Sequence, residues 1–414
     1  MKGETFKKYF LLAVVALGAG VIYKVTSLRE VFYDAMLAGF QITNTQLGTL
    51  SSIFGTVSMI CYLPGGILAD KVSYKKLLVF SFLGSGALTL WCSTMPSFNI
   101  LKLIFGLLGF TTILTFWSAF VKTVRSLGSD EEQGRMFGLA EGIRGISGIV
   151  ASFVVAGIIH VAATEIGGMK GTLIFYGALY IIIGILAAFL LPNAVQTEEE
   201  KSFAMGDLVL AFKNKGTWLV CALVFCWYMV YCATTYAIPY LTNVYGVSSS
   251  AISILSVIRA YGIGIVAAPA AGFLGDRMKS CSKALSYTSV LGVVMMIIYL
   301  IVPARQDLVA VPVVLTLTFS FLVFAARGIY LSPMTEAGIP MALTGAASGL
   351  ISVLGYAPDT FAYSVMGSWL DKYPGAQGYH YIFIMSAVFL VLATGVGLYI
   401  YSYGKKLNKA AKNS

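Results

Sequence analysis

Long apolar runs separated by short polar segments are the dominant pattern of this chain. Twelve runs can be distinguished, and each is close to the roughly 20 residues that a helix needs to cross the hydrocarbon core of a bilayer. A single segment in lipid can satisfy its own backbone hydrogen bonds only as a helix. The predicted spans are residues 9–35, 46–69, 77–96, 99–123, 134–163, 170–192, 216–244, 250–274, 284–303, 308–334, 341–369 and 378–403. The pattern therefore predicts an all-α polytopic membrane protein with twelve transmembrane helices.

A weak internal repeat divides the twelve runs into two sets of six. Residues 66–71, GILADK, recur at 272–277 as GFLGDR, an offset of 206 residues. The longest polar stretch of the chain lies between the two sets. The repeat predicts two pseudo-symmetric six-helix bundles, residues 1–192 and 216–414, joined by a cytoplasmic linker at 193–215.

The composition also indicates a membrane protein. Only 11% of the 414 residues are charged and 58% are hydrophobic, whereas a soluble domain carries about 25% charged residues. This shortfall excludes a soluble multidomain protein, a disordered chain and a nucleic-acid-binding protein. Because the chain has only two His, and six Cys without a CxxC pair, we expect neither a metal site nor a cofactor.

The net charge of +10 follows mostly from membrane topology. If both termini are cytoplasmic, eighteen Lys and Arg residues fall on the inner side and four on the outer side, which is the bias typical of cytoplasmic loops. The sequence therefore predicts a multi-pass monomer in the inner (plasma) membrane, surrounded by the lipid bilayer. Six basic residues remain inside the predicted spans: Lys24, Arg29, Lys122, Arg144, Arg259 and Arg327.

At the repeated loop the chain resembles the major facilitator superfamily. Residues 66–76, GILADKVSYKK, are similar to that family's loop G-x-L-A-D-R-x-G-R-R/K, with Lys71 for Arg, Ser73 for Gly and one extra residue before the basic pair. The second copy keeps Asp276 and Arg277. The resemblance implies the major facilitator fold, alternating access to a central site, and a cavity lined by the first, fourth, seventh and tenth helices.

The resemblance also implies an inner gate in these loops. The two glycines, which lack a side chain, would let helices approach closely, and the aspartates would accept hydrogen bonds from a helix N-terminus or a basic side chain. A latch between Glu131 or Glu132 and Arg135 or Arg125 would add to it, although a simple charged loop remains open. The predicted gating residues are Gly66, Asp70, Lys71, Glu132, Arg135, Gly272, Asp276 and Arg277.

Charges inside the spans are candidates for solute and proton binding, because a charge at the bilayer centre costs about 2.5–3.5 kcal/mol. On a continuous first helix, Tyr23, Ser27, Glu30 and Asp34 share one stripe, with Lys24 at its flank. The two acids are spaced i,i+4 and would repel each other when both are ionised, which favours protonation of one of them. An ion pair between Arg29 and either acid is the alternative.

Later spans add further candidates. Lys122 and Arg327 are at nearly equivalent positions of the repeat, and Lys122 is a candidate for the inner gate as well as for the solute. Asp359 follows a kink-forming Pro358 and is the expected remote partner of Arg259, while Glu141 and Arg144 are expected to pair at i,i+3. The predicted substrate-binding residues are Tyr23, Lys24, Ser27, Lys122, Tyr228, Tyr231, Arg259 and Arg327, and the predicted proton-coupling residues are Glu30, Asp34 and Asp359.

Together these residues predict a secondary active transporter for a small solute. No Walker-type motif occurs, so ATP does not drive transport from this chain. The excess of cations favours an organic anion such as a carboxylate, sugar acid or phosphorylated sugar as the solute, carried in symport or antiport with protons. The chain is also similar to the organophosphate and anion-symporter branches, but has no pair of arginines on the first and seventh spans. Proton-coupled multidrug efflux and a non-transporting receptor or sensor remain open. The sequence contains neither an HExxH nor a GxSxG motif, so we do not expect an enzyme.

Overall fold

The computed structural model describes residues 2–128, 132–192 and 205–413, and within these ranges the regular structure is helical, without a β-strand. The chain divides into two compact units, Met1–Glu198 and Glu199–Ser414. The linker predicted at 193–215 stays a prediction, because residues 193–204 lie outside the described ranges. The described end of this segment is not irregular, since residues 205–213 form a helix.

The described part of the N-terminal unit contains eight α-helices. In it, α4 packs against α8 and α1 packs against α7. The helices are α1 (Lys2–Val21), α2 (Tyr33–Phe40), α3 (Asn44–Lys71), α4 (Tyr74–Cys92), α5 (Phe98–Gly109), α6 (Ser118–Ser126), α7 (Gln133–Val161) and α8 (Glu165–Leu190).

The C-terminal unit is centred on its seventh-span helix, α10, which packs against α16 and α18, while α14 packs against α18. The helices are α9 (Met205–Lys213), α10 (Lys215–Thr234), α11 (Ala237–Tyr245), α12 (Ser249–Val257), α13 (Ile263–Met278), α14 (Cys281–Ile301), α15 (Ala310–Ile329), α16 (Thr344–Gly355), α17 (Ala362–Lys372) and α18 (Ala376–Asn413).

Most of the predicted spans correspond to helices of membrane-spanning length. Among the described residues, nine helical stretches are long and apolar enough to cross a membrane, and they coincide with the fourth to twelfth predicted spans. The second and third predicted spans are the helices α3 and α4. The stretch Lys215–Tyr245 is the most buried of the nine, which explains why its residues are apolar or aromatic on all sides.

The first predicted span, residues 9–35, is not one continuous helix, so that prediction is wrong. Helix α1 ends at Val21, a short 3-10 turn covers Leu28–Glu30, and α2 begins at Tyr33. The physical reason is that turn-type backbone hydrogen bonds and donors from hydroxyl side chains together satisfy the backbone of this segment. The Tyr180 hydroxyl donates to the Val21 carbonyl at 2.7 Å.

Side chains within residues 22–32 also donate hydrogen bonds to backbone carbonyls of this segment. The hydroxyls of Thr26 and Ser27 both donate to the Tyr23 carbonyl, at 3.0 and 2.8 Å. The Arg29 guanidinium donates to the Thr26 carbonyl at 2.7 Å. Ser27 and Arg29 therefore contribute to the backbone geometry of the broken span.

The eleventh span is broken as well, at the predicted kink. Helix α16 ends at Gly355, a 3-10 turn covers Ala357–Thr360, and α17 begins at Ala362. Pro358 has no N–H and cannot continue the helix. The break places Asp359 in a turn rather than on a helix face.

The fourth span contains a wide π-helical stretch, Phe110–Trp117. Widening of this kind displaces backbone carbonyls from the normal i→i+4 pattern and is frequent near functional sites. Here the Ser81 hydroxyl donates to the Thr111 carbonyl at 2.7 Å and the Tyr23 hydroxyl donates to the Thr112 carbonyl at 3.2 Å. Tyr23 therefore connects the broken first span to the widened fourth span.

Gly65 and Gly20 allow close helix contact in the N-terminal unit. A Cβ on Gly65 would lie 3.0 Å from the Leu114 carbonyl oxygen, and one on Gly20 would overlap Ser147. A Cβ built on Gly66 or Gly272 meets no described heavy atom within 4 Å, so the close-approach role of these two glycines stays a prediction. On α3, the face that meets the fourth span carries Gly65 rather than Gly66.

Replacing Gly20 with Ala should destabilise the N-terminal unit. The added Cβ would overlap the Ser147 hydroxyl and the Arg144 carbonyl oxygen across the α1–α7 contact, and overpacking costs about 1–3 kcal/mol. We expect a lower unfolding temperature for Gly20→Ala in detergent. Gly138→Ala is the matched control, because a Cβ there meets nothing within 4 Å; equal unfolding temperatures for the two variants would contradict the packing.

Candidate functional site

In the C-terminal unit, α10 and α15 bring three predicted substrate residues together. The guanidinium carbon of Arg327, on α15, lies 4.1 Å from the ring centre of Tyr231 and 6.0 Å from that of Tyr228, both on α10. The two tyrosine rings are themselves 5.3 Å apart. Attraction between a cation and the ring faces stabilises this arrangement, more strongly where water is scarce.

The break of the eleventh span adds Asp359 to the same cluster. The Tyr228 hydroxyl donates to one carboxylate oxygen of Asp359 at 2.8 Å, and the Cys232 thiol donates to the other at 3.7 Å. Both donors belong to α10. Tyr228 thus contacts Arg327 through its ring and Asp359 through its hydroxyl.

Two more tyrosines close the cluster. The ring of Tyr356 lies 4.7 Å from that of Tyr228, and the Tyr330 hydroxyl donates to the Tyr356 hydroxyl at 3.0 Å. Tyr330 also shares a hydrogen bond with Arg327. We call these residues the tyrosine–arginine cluster: Tyr228, Tyr231, Arg327, Tyr330, Tyr356 and Asp359.

In the N-terminal unit, Lys24 lies in the broken first span and packs against α7. Its side chain is 8% exposed, and its ammonium lies 3.0 Å from where a Cβ of Gly148 would be. Lys24 also interacts electrostatically with Glu30 and Arg144. A Cβ at position 148 would force the ammonium to shift by a few tenths of an ångström.

Arg144, one turn before Gly148 on α7, stacks on the fourth span. Its guanidinium lies 5.7 Å from the ring centre of Trp117 and 3.2 Å from a Glu141 carboxylate oxygen. The expected i,i+3 pair of Glu141 and Arg144 is therefore confirmed. Both units thus hold an arginine over an aromatic ring.

Lys122, in the N-terminal unit, contacts the end of α3. Its ammonium donates to the Ala69 carbonyl at 3.1 Å, one turn from the end of α3. A cation is favourable there because unsatisfied carbonyls make a helix C-terminus negative. The side chain of Asp70 lies outside the described part of the chain, and Lys71 is the last residue of α3.

Residues of the acidic connector, at the start of α7, contact α1. The Glu132 carboxylate pairs with Lys8 at 2.5 Å, and Arg135 lies 5.3 Å from the ring centre of Tyr9. The sequence had suggested Arg135 or Arg125 as the partner of Glu132 and had not considered Lys8. Glu131 lies outside the described residues. These contacts place Glu132 and Arg135 where α1 and α7 meet.

In the C-terminal unit, an acid contacts the start of the helix that follows the second copy of the repeated loop. Glu336 accepts hydrogen bonds from the Ser280 hydroxyl and the Cys281 amide, each at 2.6 Å, and from the Ser282 hydroxyl and amide. Its carboxylate therefore satisfies the N-terminus of α14. Asp276 and Arg277, the second copy of the gate motif, are exposed in the last turn of α13.

Three predicted residues do not join these clusters as expected. Glu30 lies in the 3-10 turn and Asp34 in the first turn of α2, so the i,i+4 spacing on one helix is wrong because the helix is interrupted. Arg259 is 2% exposed in a second π-helical stretch, Ile258–Gly262, near Tyr299. Its pairing with Asp359 stays a prediction.

The sequence interpretation missed several members of these sites. Glu336 had a detectable signal, because an offset of 206 relates it to Asp130 in the acidic connector. Tyr330, Tyr356 and Gly148 carried no such signal. Their roles depend on which helix faces meet, which the pattern of one chain does not specify.

The chain is similar to known membrane proteins over most of its length. A family model described as Major Facilitator Superfamily matches residues 15–361. Inner membrane protein YihN of Escherichia coli (strain K12) is 32% identical over 392 residues, 93% of each chain. Inner membrane protein YqcE of the same organism is 29% identical over 393 residues, 93% of this chain and 92% of that protein.

Two solved transporters are similar in fold. The nucleoside transporter NupG superposes with a TM-score of 0.75 at 15% identity, covering 97% of this chain and 100% of that one. A bacterial homologue of the human lysosomal transporter Spinster gives 0.77 at 12% identity, covering 97% and 98%. At these identities the likeness concerns the fold alone.

Replacing Tyr228 with Phe should lower the free energy of unfolding by about 1.5–3 kcal/mol, the range for a hydrogen bond to a charged group. The variant keeps the ring over Arg327 and removes only the hydroxyl bound to Asp359. Tyr236→Phe is the control, because that hydroxyl donates to a neutral carbonyl, Tyr363, at 2.9 Å and should cost about 0.5–1.5 kcal/mol. Denaturant unfolding in detergent measures both, and a smaller loss for Tyr228→Phe would refute a charged Asp359.

Proposed function

We propose that this chain, which belongs to the major facilitator superfamily, carries a small organic anion across the membrane by alternating access, with a proton as the coupling ion. Membership makes it a multi-span membrane transporter of a small molecule rather than an enzyme. Location in the inner membrane with both termini cytoplasmic is part of the proposal. It is supported by the inner bias of the basic residues and by the two relatives described as inner membrane proteins.

The observation that carries the anion proposal is Arg327 held over the tyrosine rings. A cation inside a membrane span is costly and is retained where it binds a solute, an ion or a partner. Arg327 lies inside the tenth span, three residues from the end of α15, and its side chain is only partly buried. A solute with a negative charge can therefore reach it.

Stacking leaves the guanidinium suited to an oxyanion. The ring of Tyr231 lies 4.1 Å from the guanidinium carbon, and cation–ring stacking uses the face of the planar group. The N–H donors point outward in the plane of the guanidinium, where carboxylate and phosphate bind two donors at once. Tyr330 and Tyr356 contribute hydroxyls beside it.

Asp359 is the proposed proton carrier of the C-terminal unit. It lies in the interrupted eleventh span, held by Tyr228 and Cys232, and Tyr228 also contacts Arg327. A proton on Asp359 would change the charge felt by Arg327 through a single intervening residue. Glu30, which interacts with Lys24, is the corresponding proposal in the N-terminal unit.

The proposed gate uses Lys122 and the acidic connector. The contact of Lys122 with Ala69 supports a gating role over direct solute contact, so we assign Lys122 to the gate together with Lys71, Glu132 and Arg135. Asp276 and Arg277 are proposed as the second gate motif.

Replacing Arg327 with Gln should abolish uptake of an organic anion, because the variant loses the charge and the in-plane donors. Arg327→Lys keeps the charge but not the paired donors and should lose at least about tenfold in affinity. Transport into proteoliposomes, preceded by a ligand-stabilisation screen with organic anions and cations, measures both effects.

Tyr231 offers a matched pair of variants for the same test. Tyr231→Phe keeps the ring under Arg327 and should transport normally, whereas Tyr231→Leu removes it and should not. Wild-type transport in Arg327→Gln would reject the anion assignment. Stabilisation by organic cations alone would instead favour multidrug efflux, for which Asp359 and the tyrosine rings would be the binding groups.

Replacing Asp359 with Asn should uncouple transport from the proton. The amide keeps the acceptor for Tyr228 but cannot gain or lose a proton. We expect solute counterflow to continue while accumulation driven by a pH gradient is lost, with Glu30→Gln tested in parallel. Retained pH-driven accumulation in both variants would eliminate these residues as proton carriers.

A further inference from the structure

The Lys24 ammonium lies against Gly148 on one face of α7. Arg144 and Gly148 are one turn apart on α7, and such residues are neighbours on the same face. A Cβ on Gly148 would lie 3.0 Å from the Lys24 ammonium and 3.3 Å from its Cε carbon. Lys24, from the broken first span, therefore occupies the space of a side chain at position 148. The face carries two adjacent cations, Arg144 and Lys24.

The surroundings of these cations differ on their two sides. The Trp117 ring lies 5.7 Å from the Arg144 guanidinium and supports one face of it. Glu141 contacts the same guanidinium at 3.2 Å, and the Glu141 side chain is 55% exposed. Exposed pairs of this kind are weak. An incoming anion can therefore replace Glu141 without leaving a buried carboxylate.

We propose that Lys24 and Arg144 form a binding site for a doubly charged tetrahedral oxyanion, such as a phosphate group, within the N-terminal unit. This inference rests on the proposed function and narrows its solute from any organic anion to one with a dianionic head group. Trp117 supports Arg144 in this site, and Gly148 is a positioning residue that acts through Lys24.

The two charges explain the preference for a dianionic oxyanion. Lys24 and Arg144 lie close enough for their charges to interact. A phosphate group has several acceptor oxygens and can accept charge-assisted hydrogen bonds, about 2.7–2.9 Å long, from both cations. A monocarboxylate brings one negative charge and leaves the mutual repulsion of Lys24 and Arg144 only half compensated.

The test measures binding of inorganic phosphate and of acetate to the purified full-length protein by calorimetry. Wild-type protein should bind phosphate at least about tenfold more tightly than acetate, because phosphate gains one more charge-assisted contact. Arg144→Gln should lose about tenfold or more in phosphate affinity, and Arg144→Lys should lose less. Glu141→Gln should bind phosphate more tightly, since the competing carboxylate is gone.

Gly148 provides a variant that moves a charge without removing it. Gly148→Ala should weaken phosphate binding because its Cβ displaces the Lys24 ammonium, and it should have no further effect in a Lys24→Gln background. Gly145→Ala is the matched control on the same helix, since a Cβ there meets nothing within 4 Å. Unfolding temperatures of all variants separate loss of the site from loss of the fold.

The inference and the proposed function fail in different ways. If Arg144→Gln and Gly148→Ala bind phosphate as the wild type does while Arg327→Gln loses anion transport, this site is overturned and the anion transporter stands. If phosphate and acetate bind equally to wild-type protein, the dianion preference is overturned. If neither anion nor any organic anion of the screen binds wild-type protein, the proposed function itself falls.

Discussion

The need to satisfy every backbone polar group inside the membrane is the constraint on which the other features depend. A span can leave the α-helix only where local 3-10 or π turns, side chains and neighbouring helices satisfy its backbone groups. At the end of α1, Tyr180, Thr26 and Ser27 contribute donors, and at the widened fourth span Ser81 and Tyr23 do so. The irregular segments that result contain Lys24 and Trp117.

Charge placement at helix ends follows the same electrostatic logic in both units with opposite signs. In the N-terminal unit the lysine of the fourth span meets the carbonyl end of α3. In the C-terminal unit an acid just after the tenth span meets the amide end of α14. Each charge suits the partial charge of the helix end that it contacts.

Each unit also stabilises an arginine on an aromatic ring: Arg144 on Trp117 and Arg327 on Tyr231. The ring lowers the cost of placing a cation in the membrane while the guanidinium edge stays suited to an oxyanion. Acids accompany both arginines, Glu141 at 3.2 Å and Asp359 through Tyr228. Each unit therefore places an acid and an arginine in one cluster.

The sequence by itself determined the membrane class, the helices and the repeat, because hydropathy and charge bias are properties of local composition. It also marked Lys24, Tyr228, Tyr231, Arg327 and Asp359 as candidates, since a charge or a polar aromatic in an apolar run is costly wherever it packs. Only the tertiary structure decided the break after Val21, the partner of Glu132 and the contact of the Lys24 ammonium with Gly148. Those features depend on hydrogen bonds and packing between residues far apart in the chain. No local pattern encodes which donor reaches which carbonyl, or which glycine faces a neighbouring helix.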